Sequence, residues 1–351
     1  MRILFAARRW SPDVVSGTET VFANLLSQAT RRHEVRLVAG FRRSRDLLPA
    51  DCVAVDVRAG GAGGWLAMAR AVSAAAAEFR PDVVLSNSIE VRVSGTPCVT
   101  IVHDLNFGGT ARTMETAARE QFYAWQARKL AGVVAVGPHT ARRLGELGVP
   151  RVTTIANGVD LDRFRPEPRP EDGRFRVVHP SRVLWGKGQH AAIDAIGRMR
   201  PDQRAGLELE VVGAVADAHY ADQLRVHAWG LPVSFAFDVP DIVPHYQLAD
   251  VVVFPTLMEE GFGFTAIEAM ACGRPVVYFD QPAVREATGG VAVAVPQGDV
   301  PALRNALLRL RADPGERARL GEAGRSFVER YRWDAVWAQY EEVLGAAARR
   351  R

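Results

Sequence analysis

Short apolar segments alternate with helical patterns along nearly the whole chain of 351 residues. Many of these segments are apolar at almost every position, which is typical of parallel strands covered by helices on both faces. The predicted strands span residues 2–7, 34–39, 53–57, 82–86, 99–103, 133–136, 152–155, 176–179, 207–213, 233–237, 250–255, 275–279 and 291–295. This alternation predicts an α/β protein built from doubly wound sheets.

Length and composition favour two domains. The chain is longer than a single domain of ~100–200 residues, and its 48% hydrophobic and 24% charged residues are typical of soluble globular proteins. The proline-rich, charged segment 163–175 is typical of an inter-domain linker. We predict Rossmann-like domains over 1–165 and 174–332, with ligand bound in the crevice at the carboxyl ends of their strands.

Two glutamates lie eight positions apart after the predicted strand at 250–255. Between Glu260 and Glu268 lie a Gly-Phe-Gly turn at 261–263 and the start of a predicted helix. The N–H groups of such a loop and helix start favour an anion, and the helix dipole adds about half a positive charge. Each glutamate alone could be an ordinary surface residue. Together, carboxylates that accept hydrogen bonds from hydroxyls and nearby amides that bind phosphate indicate a nucleotide-sugar site.

This run closely resembles the donor-site signature of family 4 glycosyltransferases, retaining enzymes of the GT-B fold. The resemblance implies two Rossmann-like domains facing across a cleft, and sugar transfer from a nucleotide diphosphate with retention at the anomeric carbon. It implies that Glu260 binds the donor sugar hydroxyls and that Glu268 binds the ribose hydroxyls. The turn and the helix start are then donor-binding too, through Gly261, Phe262, Gly263, Phe264 and Thr265.

A second string in the chain is similar to another signature of the family. Arg182 and Lys187 flank a turn that contains two glycines, and at a spacing of five both can reach one pyrophosphate. Ser181 replaces the glycine that usually precedes the arginine. The resemblance implies that both cations stabilise the leaving diphosphate, and that they are catalytic residues together with Glu260 and His103.

Four further residues are assigned by the resemblance. Ser16-Gly17 stands where the family has a Gly-Gly pair that contacts the donor phosphates, so Gly17 is predicted to bind donor. His103 ends a predicted strand at the position of a family histidine near the donor sugar, and we expect it to bond a sugar hydroxyl. Phe237 and Asp238 lie in a loop that cradles the nucleotide base. The helix predicted at 333–349 should pack back on the N-terminal domain.

No metal and no cofactor are expected. Asp160 and Asp162 have the spacing of the metal-binding pair of the other glycosyltransferase architecture, but they belong to an Asn-Gly turn beside the linker. Cys52, Cys98 and Cys272 show neither disulfide nor metal spacing, which indicates a reducing cytoplasm. The N-terminal apolar run is too short for a signal peptide, and no segment reaches the ~18 apolar residues of a membrane span.

The basic charge is concentrated in the first half. Residues 1–170 hold 23 Lys and Arg against 16 Asp and Glu, a net charge of +7, and the remainder holds 21 against 24, or −3, which together give +4. This asymmetry favours an anionic acceptor or a peripheral position at the inner membrane face, although arginine is simply common in this composition. The sequence has no basic patch interleaved with aromatic residues, which is the pattern that would indicate a nucleic-acid partner.

Several functions remain open at this stage. We expect the donor to be a UDP-, GDP- or dTDP-sugar. The alanine- and arginine-rich composition is compatible with a high-GC bacterium, where such enzymes act on envelope glycans, lipids or secondary metabolites. The alternatives are a GT-B-fold sugar phosphorylase, a nucleotide-sugar epimerase, or a non-catalytic protein that binds nucleotide sugars. Intact Glu260, Glu268, Arg182 and Lys187 argue against the last of these.

Overall fold

A parallel sheet forms the centre of the N-terminal half. The computed structural model describes residues 1–10, 17–41, 44–49, 51–57, 61–87, 89, 91–105, 114–170 and 172–350. Within these ranges the first sheet has the order β3-β2-β1-β4-β5-β6-β7. Its strands are β1 (Arg2–Ala7), β2 (Glu34–Phe41), β3 (Val53–Asp56), β4 (Val83–Ser86), β5 (Cys98–Val102), β6 (Gly132–Ala135) and β7 (Val152–Thr154).

A second parallel sheet, in the C-terminal half, repeats this plan. Its order among the described residues is β10-β9-β8-β11-β12-β13, the strand order of a Rossmann fold. Its strands are β8 (Phe175–Pro180), β9 (Leu207–Gly213), β10 (Val233–Phe237), β11 (Val251–Phe254), β12 (Val276–Phe279) and β13 (Val293–Val295). Every predicted strand has a counterpart here or in the first sheet, with bounds that agree within two residues, so the doubly wound α/β prediction is confirmed.

Helices connect the strands and cover the sheets. They are α1 (Gly17–Ala29), α2 (Gly61–Phe79), α3 (Met114–Ala127), α4 (Pro138–Glu146), α5 (Gln189–Gly197), α6 (Pro201–Arg204), α7 (Ala218–His227), α8 (Val243–Leu248), α9 (Phe264–Ala271), α10 (Pro282–Thr288), α11 (Val300–Ala312), α12 (Pro314–Val328) and α13 (Trp333–Ala348). Local sequence starts several of them, since Asp217, Asp299 and Asp313 each accept a hydrogen bond from a first-turn backbone N–H.

Contacts divide the chain into two units, each with its own core. The first comprises Met1–Gly158 with Trp333–Arg351, and the second comprises Val159–Arg332. In the second unit, side chains of β8, β9 and β11 pack against α5, α7 and α11. In the first, side chains of β1, β4 and β5 pack against α2 and α3.

The second unit begins before the segment 163–175 that the sequence indicates as a linker. This segment packs on the second unit instead of bridging freely. The side chain of Arg274 donates to the carbonyl of Glu167 at 2.8 Å, and that of Gln247 donates to the carbonyl of Arg165 at 3.1 Å. The segment whose composition suggests a linker is therefore bound to the second unit through its backbone carbonyls.

The C-terminal helix α13 belongs to the first unit. It contacts α1, β4 and β5, and its apolar face, which includes Val336, Trp337 and Tyr340, is buried. Near the middle of the helix, the ring of His33 meets the carboxylate of Glu341 at 2.7 Å. These contacts return the chain to the first sheet after it has completed the second.

Candidate functional site

The strand order of the second unit creates a switch point between β8 and β11. These neighbours pair in parallel, but the chain leaves β8 toward β9 on one side and leaves β11 toward β12 on the other. The two loops at their carboxyl ends therefore diverge, and ligands of open α/β sheets bind in such recesses. Arg182 and Lys187 follow β8, and Glu260 follows β11, so the fold brings the two sequence signatures to one edge.

A tightly packed backbone holds the loop after β8. Gly188 has φ +75°, and a Cβ there would lie 1.9 Å from the carbonyl oxygen of Pro255, so the position requires glycine. The carbonyl of Gly186 accepts the N–H groups of Leu257 and Met258 at 2.9 and 3.1 Å. The loops that carry Lys187 and Glu260 are thus joined directly through the backbone.

A buried histidine lies beneath the same loop. His179, on β8, is fully buried, and its Nε2 is 3.0 Å from the carbonyl oxygen of Lys187. Burial lowers the pKa of His179 to about 4, so the ring is neutral at physiological pH. The contact requires the tautomer that carries its proton on Nε2.

Lys187 and Glu260 form an ion pair at this edge. The Nζ of Lys187 lies 2.5 Å from Oε1 of Glu260, and both side chains are 13% exposed. The hydroxyl of buried Thr256 donates to the same oxygen at 2.9 Å. The side-chain amide of Gln281 holds the loop from behind, since its oxygen accepts the N–H of Glu260 at 3.1 Å and its nitrogen donates to the carbonyls of Thr256 and Met258.

The glycine turn leads directly into α9. Gly263, at φ +99°, is the N-cap residue of α9 and offers no side chain to cap it. No side chain therefore caps the first-turn amides of Phe264 and Thr265. The hydroxyl of Thr265 donates to the carbonyl of Pro180 at 3.1 Å, which fixes this first turn against the end of β8. Phe262 and Phe264 pack edge to face at 5.4 Å.

Glu268 lies further along α9 in a different environment. The hydroxyl of Tyr246, on α8, donates to its Oε2 at 2.7 Å. Burial raises the pKa of Glu268 to about 7, although the hydrogen bond from Tyr246 and the charge of Arg163 act in the opposite direction. This carboxyl group therefore changes between its protonated and its ionised form near neutral pH.

Arg182 and the loop after β10 complete the predicted residues of this unit. The Arg182 side chain is exposed and has no hydrogen-bond or ion-pair partner within the described part of the chain. Asp238 has φ +53°, and its carboxylate accepts the N–H of Val215 at 2.9 Å, so this side chain joins the loop after β10 to the loop after β9. Phe237 packs against Phe235, with ring centroids 5.3 Å apart.

The first unit carries the other two predicted residues. Gly17 is exposed and begins α1, while Ser16 lies outside the described residues. His103 directly follows β5, and burial, with the charge of Arg9 second, lowers its pKa to about 4. Its Nε2 is buried and has no hydrogen-bond partner among the residues described. His103 is thus neutral, and one of its ring nitrogens makes no hydrogen bond to these residues.

Within the described ranges, no group of three or more His, Cys, Asp or Glu side chains is arranged to hold a metal ion. No helix among the same residues combines the length and the apolarity that crossing a membrane requires.

Comparison with known proteins identifies the family. A sequence model described as Glycosyltransferase Family 4 matches residues 15–163, and one described as Glycosyl transferases group 1 matches residues 174–313. The lipopolysaccharide core biosynthesis mannosyltransferase LpcC of Rhizobium leguminosarum bv. viciae is 33% identical over 264 residues, which cover 69% of this chain and 72% of that protein. The chain belongs to glycosyltransferase family 4.

Other relatives of this family 4 chain align over different lengths. D-inositol 3-phosphate glycosyltransferase 2 of Catenulispora acidiphila is 32% identical over 231 residues. This alignment covers 55% of this chain and 50% of that protein, which is half of its length. The glycogen synthase of Mycobacterium tuberculosis strain H37Rv is 27% identical over 292 residues, which cover 77% of this chain and 70% of that protein.

Solved structures show that the family 4 chain has the GT-B fold. HepE of Anabaena, solved in complex with UDP, superposes with a TM-score of 0.80 at 21% identity, over 99% of this chain and 100% of that one. WaaG, a glycosyltransferase involved in lipopolysaccharide biosynthesis, superposes with a TM-score of 0.74 at 16% identity, over 98% and 99% of the two chains.

Sequence reasoning on this family 4 chain missed the residues that hold the two glutamates. Thr256 and Gln281 each follow a strand of the second sheet, so a search for polar residues at strand ends could have found them. Tyr246 lies in a short helix without a distinguishing pattern. Its role becomes visible only from its contact with Glu268.

Proposed function

We propose that this chain is a retaining, metal-independent glycosyltransferase. It transfers a sugar from a UDP-, GDP- or dTDP-sugar to an envelope glycan, a lipid or a secondary metabolite. The contact between Lys187 and Glu260 beside the uncapped start of α9 carries this proposal. A cation suited to phosphate, a carboxylate suited to hydroxyls and a helix start without a side-chain cap lie close together there, which supports the proposal.

The cations and the amides act on the leaving diphosphate. Negative charge grows on the phosphate as the bond to the sugar breaks, and donors fixed in advance stabilise that charge without reorganising. Lys187 is held in place by Glu260, whereas exposed Arg182 is available to close on the phosphates. The amides of 262–265 and the dipole of α9 add to this positive potential. With these groups present, the proposed reaction needs no metal.

The two carboxylates bind hydroxyls of the donor. Residues of the first unit bind its phosphates and one further hydroxyl. Glu260 accepts hydrogen bonds from the donor sugar, and Glu268 accepts them from the ribose. The backbone around Phe237 and Asp238 cradles the base. In the first unit, Gly17 approaches the donor phosphates, and the free nitrogen of His103 bonds a sugar hydroxyl. A neutral His103 suits hydrogen bonding better than nucleophilic attack.

We infer a same-face mechanism in which the departing phosphate helps to deprotonate the acceptor hydroxyl. The attacking oxygen bonds to the anomeric carbon on the face that the phosphate leaves, and the hydroxyl proton passes to the phosphate. Retention is tested by NMR, which would show that the first-formed product keeps the anomeric configuration of the donor. Isolation of a covalent glycosyl-enzyme on a side chain would overturn this mechanism.

The names of relatives guide the choice of donor and acceptor. HepE was solved with UDP and with UDP-glucose, and LpcC is a mannosyltransferase of lipopolysaccharide core biosynthesis. One further relative, from Mycolicibacterium smegmatis, is described as a GDP-mannose-dependent mannosyltransferase, so UDP-glucose and GDP-mannose are the first donors to test. The basic first half favours an anionic acceptor or one presented at the inner membrane face, where we propose that the protein acts as a cytoplasmic, peripheral enzyme.

A thermal-shift screen tests the donor site directly. Purified protein is heated with UDP, GDP, dTDP and their sugar conjugates, with and without EDTA. A ligand that binds only the folded state raises the melting temperature, so we expect one base to give a clear shift that EDTA does not change. No shift with any nucleotide would contradict the proposal.

Product analysis then separates the possible activities. Incubation of the stabilising donor with and without candidate acceptors should give a glycosylated product only when an acceptor is present. An epimerised nucleotide sugar would indicate the epimerase, and phosphate-dependent sugar phosphate would indicate the phosphorylase. Binding without any turnover would indicate a non-catalytic protein.

A further inference from the structure

The two oxygens of the Glu268 carboxyl group have different surroundings. Oε2 accepts the hydroxyl of Tyr246 at 2.7 Å, whereas Oε1 has no hydrogen-bond partner within the described residues. The Glu268 side chain is partly exposed, while Tyr246 is only 1% exposed. One oxygen is therefore held from the protein interior, and the other is available to a ligand.

Tyr246 is well suited to be a permanent donor. Burial, and next the charge of Glu268, raise the pKa of its hydroxyl well above the ordinary value of 10, so the phenol keeps its proton. Its ring packs edge to face on Phe164, with centroids 5.8 Å apart. The start of α8 is fixed as well, because Asp241 accepts the N–H of Val243 at 3.2 Å and the guanidinium of Arg163 at 2.8 Å.

A single hydrogen bond to one oxygen restricts rotation of the carboxylate about its last side-chain bond. The free oxygen then keeps one direction, which suits a ligand whose hydroxyls arrive at a fixed place. Without the phenol, Glu268 would have to be ordered by the ligand itself, at a cost in side-chain entropy.

We propose that Tyr246 is a positioning residue, which orients Glu268 so that its free oxygen accepts a ribose hydroxyl of the bound nucleotide. Tyr246 does not touch the ligand. This inference rests on the proposed function, because it takes the ribose assignment of Glu268 as its starting point. It adds a residue that no sequence motif marks.

The test compares ribonucleotides with deoxyribonucleotides. Dissociation constants of UDP and GDP, and of their 2′-deoxy and 3′-deoxy analogues, are measured by calorimetry for the parent protein and for Tyr246→Phe. The parent should prefer the ribonucleotide, and Tyr246→Phe should reduce this preference about three- to tenfold, the size of one lost hydrogen bond. Phenylalanine keeps the ring that packs on Phe164, so the fold should be retained.

Two further variants show whether Tyr246 acts through Glu268. Glu268→Ala should lose the ribose preference, and adding Tyr246→Phe to it should change nothing more, because the two residues form one unit. Tyr220→Phe is the matched control, since this tyrosine bonds His190 on α5, and it should keep the parental preference.

Each result has a distinct meaning. If the parent binds neither UDP nor GDP here, and dTDP gives no shift in the thermal screen, the proposed function fails and the inference fails with it. If the parent binds a nucleotide without preferring ribose, the ribose assignment and the inference fail, but nucleotide binding stands. If Glu268→Ala loses the preference and Tyr246→Phe keeps it, the inference alone is overturned. Additive effects in the double variant would also overturn it.

Discussion

The regions around Glu260 and Glu268 differ, although the two residues lie eight positions apart and face one end of the same sheet. Glu260 is paired with a cation, Lys187, and with the hydroxyl of Thr256. Glu268 is held by an uncharged donor, Tyr246, and burial raises its pKa to about 7. The Glu260 carboxylate thus has a charged partner and the Glu268 carboxyl group has an uncharged one, although both belong to one loop and the helix that follows it.

The difference fits the proposal that the two glutamates bind two kinds of hydroxyl. A carboxylate paired with lysine keeps a charged partner nearby, which suits the reacting end of the donor where phosphate charge develops. A carboxyl group held by a phenol needs no counter-ion and can report on pH. The spacing of eight brings both groups to the site, and their neighbours decide how each behaves.

The largest effect is expected from the backbone that joins Lys187 to Glu260. Gly188→Ala places a Cβ 1.9 Å from the Pro255 carbonyl oxygen, so the two loops must separate. We expect a loss of more than about 4 kcal/mol in the free energy of unfolding, measured by urea denaturation.

Gly230→Ala is the matched control for this substitution. Gly230 has φ +74°, almost the same as Gly188, but a Cβ there would meet open space. It should lose only about 1 kcal/mol, the strain of the left-handed conformation. Equal losses in the two variants would show that close packing of the loops is unimportant.

The ion pair itself comes next. Lys187→Ala should reduce kcat about 100- to 1,000-fold and change the KM for the donor less, because the phosphate gains charge only as the bond breaks. Steady-state kinetics with the stabilising donor measure both constants. The chain contains one other lysine, and Lys129→Ala should leave both constants unchanged. An unaltered kcat in Lys187→Ala would refute the role of Lys187.

The Glu268 region should respond to pH. Its pKa of about 7 exceeds the ordinary 4.5, so between these values the folded state holds a proton that the unfolded chain releases. This stabilising contribution is present below about pH 4.5 and is lost as pH rises through about 7. Nucleotide affinity should change in the opposite direction and rise by up to about tenfold from pH 6 to 8, as the carboxylate becomes a stronger acceptor.

Glu268→Gln separates this titration from that of the nucleotide. Glutamine keeps the shape and does not ionise, so titration of the affinity by calorimetry should show the step near pH 7 in the parent alone. The same variant should lack the decline in stability across this pH range. An identical pH profile in both proteins would remove Glu268 as the titrating group.

The smallest effect is expected from the second donor to Glu260. Thr256→Val removes the hydroxyl that lies 2.9 Å from Oε1 and leaves Lys187 in place. The expected loss in kcat/KM is about three- to tenfold, the value of one hydrogen bond. Thr288→Val is the control, because this buried hydroxyl bonds the carbonyl of Val284 within its own helix. If both variants lost activity equally, packing would explain the effect.

Much of the fold could be predicted because parallel strands buried on both faces are recognisable one at a time. β1, β9 and β10 agree with their predicted bounds, and the other strands deviate by at most two residues. The linker prediction was less informative. The segment 163–175 is rich in proline and charge, but its carbonyls bond Arg274 and Gln247, which local composition does not indicate.

The candidate site was predictable where it depends on strand ends and glycine turns. Arg182, Lys187, Glu260 and Glu268 are marked by their spacing together with the resemblance to family 4, and the switch point brings their two loops together. His179, Gln281 and Tyr246 were not identified, because each acts on a partner distant in sequence through one hydrogen bond. A single residue with a long-range partner produces no periodic pattern.

The sequence by itself determined the alternation of strands and helices, the two Rossmann-like sheets, and the glycines and charged residues at their carboxyl ends. Apolar periodicity and turn chemistry are local properties, so they can be recognised along the chain. Only the tertiary structure decided that Lys187 neutralises Glu260 while Tyr246 holds Glu268. Charge state depends on burial and on neighbours brought together by folding, and both exist only once the chain has packed.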